Sequence, residues 1–254
     1  MAKANGKVRK KRRAKGWVPD QHGAWFMVTV PVLTGVLLAP AWIQLPLLVT
    51  WWAGYFAFFA AGIWMRSRFR ANNRPPVLVY GAVTAVAGVV TLIMDWTLLV
   101  WAPAFIPLVA IAVYETWKRR PRSLPSGVAT VIAACLMLPV MAWAGGGLDA
   151  RAWLIFAVYA VYFTGTVPYV KTLIRERGDR EWFRGSVIYH ALAVVAAAFV
   201  NWVMVVLALV LVARAAGMPI AADRRGKPFR PKTVGLIEAA ITVVIAVAAW
   251  CTIG

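Results

Sequence analysis

Two groups of residues in this chain have the chemistry to hold an anion. Arg66, Arg68, Arg70, Asn73 and Arg74 form the first, and Lys171, Arg175, Glu176, Arg177 and Asp179 form the second. A guanidinium presents a planar fork that matches phosphate and carboxylate geometry, so such a set suits a phosphorylated or otherwise anionic ligand bound without metal. Glu176 and Asp179 can pair with arginines of the first group and tie the two together; a solvated Arg175–Asp179 pair four residues apart is the alternative. His22 and His190 titrate near neutral pH and bind anions or metals. Each also has a plain structural use, His22 at a helix start and His190 in a bond to a neighbouring helix. Glu238 either pairs with an arginine such as Arg230 or contributes to a buried site.

Other chemistries find no support. No Ser/His/Asp set, Walker loop or dinucleotide fingerprint is present, and Gly145-Gly146-Gly147 is not followed by the Lys-Ser/Thr pair of a phosphate loop. Two histidines cannot make a histidine-based metal centre without carboxylate help, so neither a metal nor a cofactor is expected. Cys135 and Cys251 lie inside apolar runs and have no CxxC spacing. No catalytic residue can be assigned. An enzyme built from these parts would act on a lipid-soluble substrate at a membrane interface.

The elements that position these groups follow from where the charge falls. All Lys and Arg except Arg151 lie in five clusters, Lys3 to Lys15, Arg66 to Arg74, Lys118 to Arg122, Lys171 to Arg184 and Arg214 to Lys232, with apolar stretches between them. Cytoplasmic loops retain Lys and Arg, and short exported loops lack them. Hydrophobic residues make up 62% of the chain and the mean hydropathy is +0.71. The formal net charge of +19 would point to nucleic acid in a soluble protein, but here it is divided among loops, and anionic inner-leaflet lipid is its expected partner.

Spans are expected at residues 24–39, 44–65, 77–94, 96–114, 126–144, 152–170 and 233–253. Residues 186–213 make one long helix or two short ones hinged near Asn201-Trp202. One helix would export the six basic residues from Arg214 to Lys232; two return them to the cytoplasm. The expectation is therefore an all-α polytopic bundle of about nine helices, N-terminus cytoplasmic and C-terminus outside. Residues 1–19 read as a basic disordered tail, residues 20–254 as a single transmembrane domain, and residues 214–232 as a 19-residue loop. The segments ending the second and sixth helices echo each other and suggest two related halves. Near mid-membrane almost no ionisable residue is expected.

Three segments, Gln21-His22-Gly23-Ala24-Trp25, the run from Gly165 to Glu176, and the run from Arg230 to Glu238, resemble the YwiC-like family of bacterial integral membrane proteins. That resemblance supplies a family without an activity. A more distant similarity is to the UbiA prenyltransferase superfamily, which implies nine helices and polar segments after helices two and six. Those enzymes use spaced aspartates to hold magnesium against an isoprenoid diphosphate. This chain has Arg66, Arg68 and Arg70 where the first aspartate-rich motif would fall, so it cannot supply the hard oxygen ligands magnesium needs.

Three functions compete. The first is binding of an anionic phospho- or prenyl-lipid at a cytoplasmic-facing basic pocket; if catalysis accompanies it, the enzyme is a divergent prenyltransferase-like transferase. The second is a small transporter, and the third a structural or accessory protein docking through its basic loops. Topology alone accounts for the same arginines, so the placement of their side chains is the deciding observation.

Overall fold

The computed structural model describes residues 16–19 and 22–253, and the side chain of His22 lies outside that description, as do the basic residues of the N-terminal tail. The described residues form nine α-helices: α1 (His22–Leu38), α2 (Gln44–Arg66), α3 (Arg74–Met94), α4 (Ala102–Trp117), α5 (Leu124–Ala144), α6 (Ala150–Ile174), α7 (Arg180–Ala198), α8 (Trp202–Arg224) and α9 (Pro231–Thr252). Short 3₁₀ turns, Ala71–Asn73 and Trp96–Trp101, lead into α3 and α4. Seven of the helical segments are long and apolar enough to cross a membrane. At 1.5 Å per residue α8 extends about 35 Å, enough for a hydrocarbon core of about 30 Å. The chain is a polytopic membrane helix bundle.

Helix boundaries come from caps written in the sequence. Ser123 accepts from Ser126 N at 3.3 Å, Asp149 from Ala152 N at 2.8 Å, and Asn201 from Met204 N at 3.0 Å, starting α5, α6 and α8. Asp179 accepts from the backbone N–H groups of Glu181 and Trp182 and starts α7. The Asn201 cap decides the ambiguous stretch: the chain turns through residues 199–201 and α7 and α8 are separate.

The expected alternation of helix ends holds. Asn201 Nδ2 donates to Thr252 Oγ1 at 3.0 Å, and Arg151 Nη2 donates to Trp250 O at 2.8 Å, so the turns before α6 and α8 lie at the same end as the close of α9. Gln44 Nε2 bonds both Ala39 O and Met141 O, bringing the α1–α2 turn and the close of α5 to that end too. The opposite end carries the basic loops. There the Phe69 ring, after α2, lies tilted against Trp117 at the close of α4, and Arg122 lies near Arg175.

One boundary differs from the sequence expectation. Residues 214–232 are not a 19-residue loop: α8 continues to Arg224, and only residues 225–230 connect it to α9. The helix can run on through Arg214 because that residue finds a buried acidic partner.

α1 packs on α2, α5, α6 and α9 and so joins the two sides of the bundle. Its approach to α5 is close because residue 35 is glycine: a Cβ there would lie 2.4 Å from Leu138 O and 2.7 Å from Met141 Cβ. Gly16 and Trp17 also pack on the bundle, Gly16 near Ala60 and Trp17 edge-on to Tyr80, whose hydroxyl donates to Trp17 O at 2.7 Å.

Candidate functional site

A cavity of about 580 Å³ lies among α1, α2, α3, α4 and α5, within the range of small-molecule sites. Its walls run from Leu98 and Trp101 at one end to Thr116, Ser126 and Arg66 at the basic end. Aromatic rings of Trp51, Phe58 and Phe105 line the middle. The wall hydroxyls do not make it polar. Thr50 donates to Pro46 O, Thr91 to Ala87 O, Thr116 to Ala112 O and Ser126 to Pro121 O, each satisfied by its own chain within five residues. Apart from the Trp101 indole N–H, which is buried without a hydrogen-bond partner among the described residues, the space between the two ends is therefore largely apolar.

The polar feature is at the basic end. Arg66 closes α2, and its guanidinium folds back beside Gly62: Nη1 lies 3.6 Å, and the Thr116 methyl 3.5 Å, from the place a Cβ would take. The turn beyond it is unusual, since Arg68 and Phe69 both have φ of 58°. Left-handed backbone at two consecutive non-glycine residues is strained, about 1–3 kcal/mol each. The Phe69 ring holds it, 5.0 Å from Trp64 and 6.1 Å from Trp117.

The structure separates the residues that the sequence grouped. Arg66, Arg68, Arg70 and Arg74 are all exposed, but of them only Arg66 also lines the cavity, and Asn73 is half-buried. α2 and α6 do not touch, so the two basic segments do not face each other directly. The α4–α5 loop stands between them. Its Pro121 lines the cavity, and Arg122 is close enough to Arg175 that burial and then the Arg122 charge lower the Arg175 pKa from the usual arginine range. Glu176 pairs with Lys171 at 3.9 Å, and Lys171 Nζ lies 4.2 Å from the centre of the Trp182 ring. Asp179 caps α7. Neither acid locks onto the first arginine segment.

A second polar cluster lies among α6, α7, α8 and α9, and the sequence reading did not assemble it. Arg214 Nη1 donates to Glu238 Oε1; both residues are 8% exposed. The partner of Glu238 is thus Arg214 within α8 and not Arg230 in the loop. The Arg214 guanidinium lies 4.0 Å from the centre of the Tyr169 ring, and Tyr169 also contacts His190 edge-on, with 6.4 Å between ring centres. Tyr162 Oη bonds Thr242 Oγ1 at 2.9 Å and Glu238 O at 3.3 Å. His190 Nδ1 donates to Ser186 O at 2.7 Å; a carbonyl only accepts, so the proton is on Nδ1. Arg214 is about 15 Å from the basic end of α8 and Glu238 about 10 Å into α9. Ionisable groups therefore occupy the interior of the bundle, and of the two readings of Glu238 the buried one holds. The available signal was the interruption of an apolar run by a lone arginine, ten residues before the next basic residue.

The YwiC-like protein family matches residues 18–142, which contain α1 to α4 and nearly all of α5. Over 180 residues the chain is 31% identical to the uncharacterized protein YwiC of Bacillus subtilis, covering 70% of this chain and 75% of that one. The chain belongs to the YwiC-like family. The chain is also similar to an uncharacterized protein of Haemophilus influenzae, 30% identical over 240 residues, covering 89% of this chain and 94% of the other. No solved structure matches significantly. The cavity, with Arg66 at its basic end, falls inside the part of the chain that matches the family.

Proposed function

We propose that this YwiC-like protein binds an anionic lipid, of isoprenoid or acyl type, with its tail in the cavity among α1 to α5 and its headgroup at the basic end. One observation carries this reading: the cavity is apolar for most of its length and has an arginine, Arg66, at one end only. An amphiphile has the same one-ended polarity. Arg122 and Arg175, beside the Pro121 edge, extend the positive field past the mouth and favour a phosphate or diphosphate over a neutral head. By the distribution of Lys and Arg, this mouth opens to the cytoplasmic face of a bacterial inner membrane. Exposed Arg68, Arg70 and Arg74 then serve general attraction to the anionic leaflet, at about 1 kcal/mol each.

Native mass spectrometry with lipid extraction from the purified protein tests this. One co-purifying phospho- or prenyl-lipid, bound in a 1:1 ratio and depleted at least tenfold in Arg66→Ala, is the expected result. A second variant, Ala133→Phe, places a ring in the cavity wall and should deplete the same lipid with Arg66 intact. Retention of an unchanged lipid set by both variants would refute the reading.

A further inference from the structure

Within α6 to α9 lies a second cavity, of about 200 Å³, which shares no lining residue with the first. Its walls are almost wholly apolar, with Ala193 and Ala197 of α7, Leu207 and Leu211 of α8 and Ile245 of α9. At one edge Tyr162 and His190 line it. These residues also border the Arg214–Glu238 pair: Tyr162 bonds Glu238 O, and Leu211 is one turn before Arg214 on α8.

The pair is incompletely satisfied. Among the described residues, Arg214 Nε and Nη2 and Glu238 Oε2 are buried and make no hydrogen bond of ordinary geometry, and the Tyr162 hydroxyl is the polar group beside both side chains. Nε–H and Nη2–H point the same way and form the side of a guanidinium that grips two oxygens at once. A buried donor fork beside a buried acceptor costs free energy unless a ligand or solvent offers the converse set.

We propose that this is a binding site for an undissociated, apolar carboxylic acid. The acid's oxygens accept from the Arg214 fork, its O–H donates to Glu238 Oε2, and its hydrocarbon part fills the 200 Å³ cavity. A carboxylate alone would add a second negative charge beside Glu238 in a low-dielectric interior, whereas the neutral acid brings the compensating proton with it. Tyr162 lines the cavity and bonds Thr242 and Glu238 O, and Arg214 and Glu238 lie behind it, so the proposed complex requires that ring to leave Thr242 and admit the carboxyl group. The titratable groups around Glu238 are Tyr162 and Tyr169 on α6, His190 on α7 and Arg214 on α8; from Gly23 to Leu38, α1 contributes none. The neutral form of the ligand is the one bound, so binding weakens as the ligand ionises.

Equilibrium binding of carboxyl-labelled benzoic acid to the protein in nanodiscs, against protein-free nanodiscs, tests the site. One saturable site is expected, its apparent Kd rising about tenfold per pH unit above the acid's pKa. Benzyl alcohol should compete at least tenfold less well than benzoic acid. Arg214→Lys keeps the charge without the fork and should weaken binding at least tenfold. Ala197→Phe fills the cavity with the ion pair intact and should abolish it, which keeps the test open if Arg214→Lys does not fold. Absence of saturable binding at pH 5, binding unaffected by Ala197→Phe, or equal competition by benzyl alcohol would each overturn the proposal.

Discussion

Removing one member of the Arg214–Glu238 pair should harm the protein far more than removing both. Each residue is 8% exposed, and their nearest neighbours are the Tyr169 ring, Tyr162 and Thr242. Glu238→Leu alone leaves a guanidinium with no counter-charge among those neighbours, and breaking a buried pair from one side costs about 3–5 kcal/mol. Arg214→Met alone leaves the carboxylate in the same position. The double variant Arg214→Met/Glu238→Leu removes both charges and replaces them with side chains of similar bulk, a change that ranges from neutral to about 1–4 kcal/mol stabilising. The coupling between the two sites is therefore several kcal/mol, well beyond the few tenths by which independent sites depart from additivity. Equilibrium unfolding by SDS titration in mixed micelles of the wild type, both single variants and the double variant measures it. Single variants within about 1 kcal/mol of wild type, or a double variant as unstable as the sum of the singles, would refute the argument that these charges are buried together.

Three further outcomes follow from the packing. Gly35→Ala should destabilise by about 1–3 kcal/mol in the same titration, because the added carbon meets the Leu138 carbonyl of α5, which is main chain and cannot rotate away. Asn201→Ala should cost about 1 kcal/mol by removing the α8 cap and the tie to Thr252, and amide exchange should rise first around residues 199–205. In a Cys135→Ala/Cys251→Ala background, a membrane-impermeant maleimide should label Ala150→Cys on intact cells and Arg177→Cys only after lysis; the reverse pattern would invert the orientation read from the charge.

The helices were readable because a bilayer leaves the chain few choices. Apolar length and the return of Lys and Arg at every second loop gave both the number of helices and the alternation of their ends. Asn201 illustrates how local chemistry settles what hydropathy leaves open, since one capping side chain divides a 28-residue apolar stretch. The site was only partly readable. Arg66 was singled out together with Arg68, Arg70 and Arg74, four residues of one chemistry, and only its place one turn after Gly62 folds it back toward the cavity. Asp179 looked like a partner for arginine and is a helix cap, because a carboxylate two residues before exposed N–H groups satisfies them at less entropic cost than a distant pair. Arg214 was read as the first residue of a loop. Its role depends on Glu238, 24 positions away on another helix, and no pattern within one helix reveals such a pairing.

The claim on which the account turns is that the space among α1 to α5 belongs to a lipid. An experimental density map of the protein in nanodiscs made from its native membrane tests it most directly. The account predicts one elongated density running from beside Trp101 to the Arg66 guanidinium, with its bulkier end at Arg66. A map in which α2 and α4 close on each other and leave no such density would contradict it.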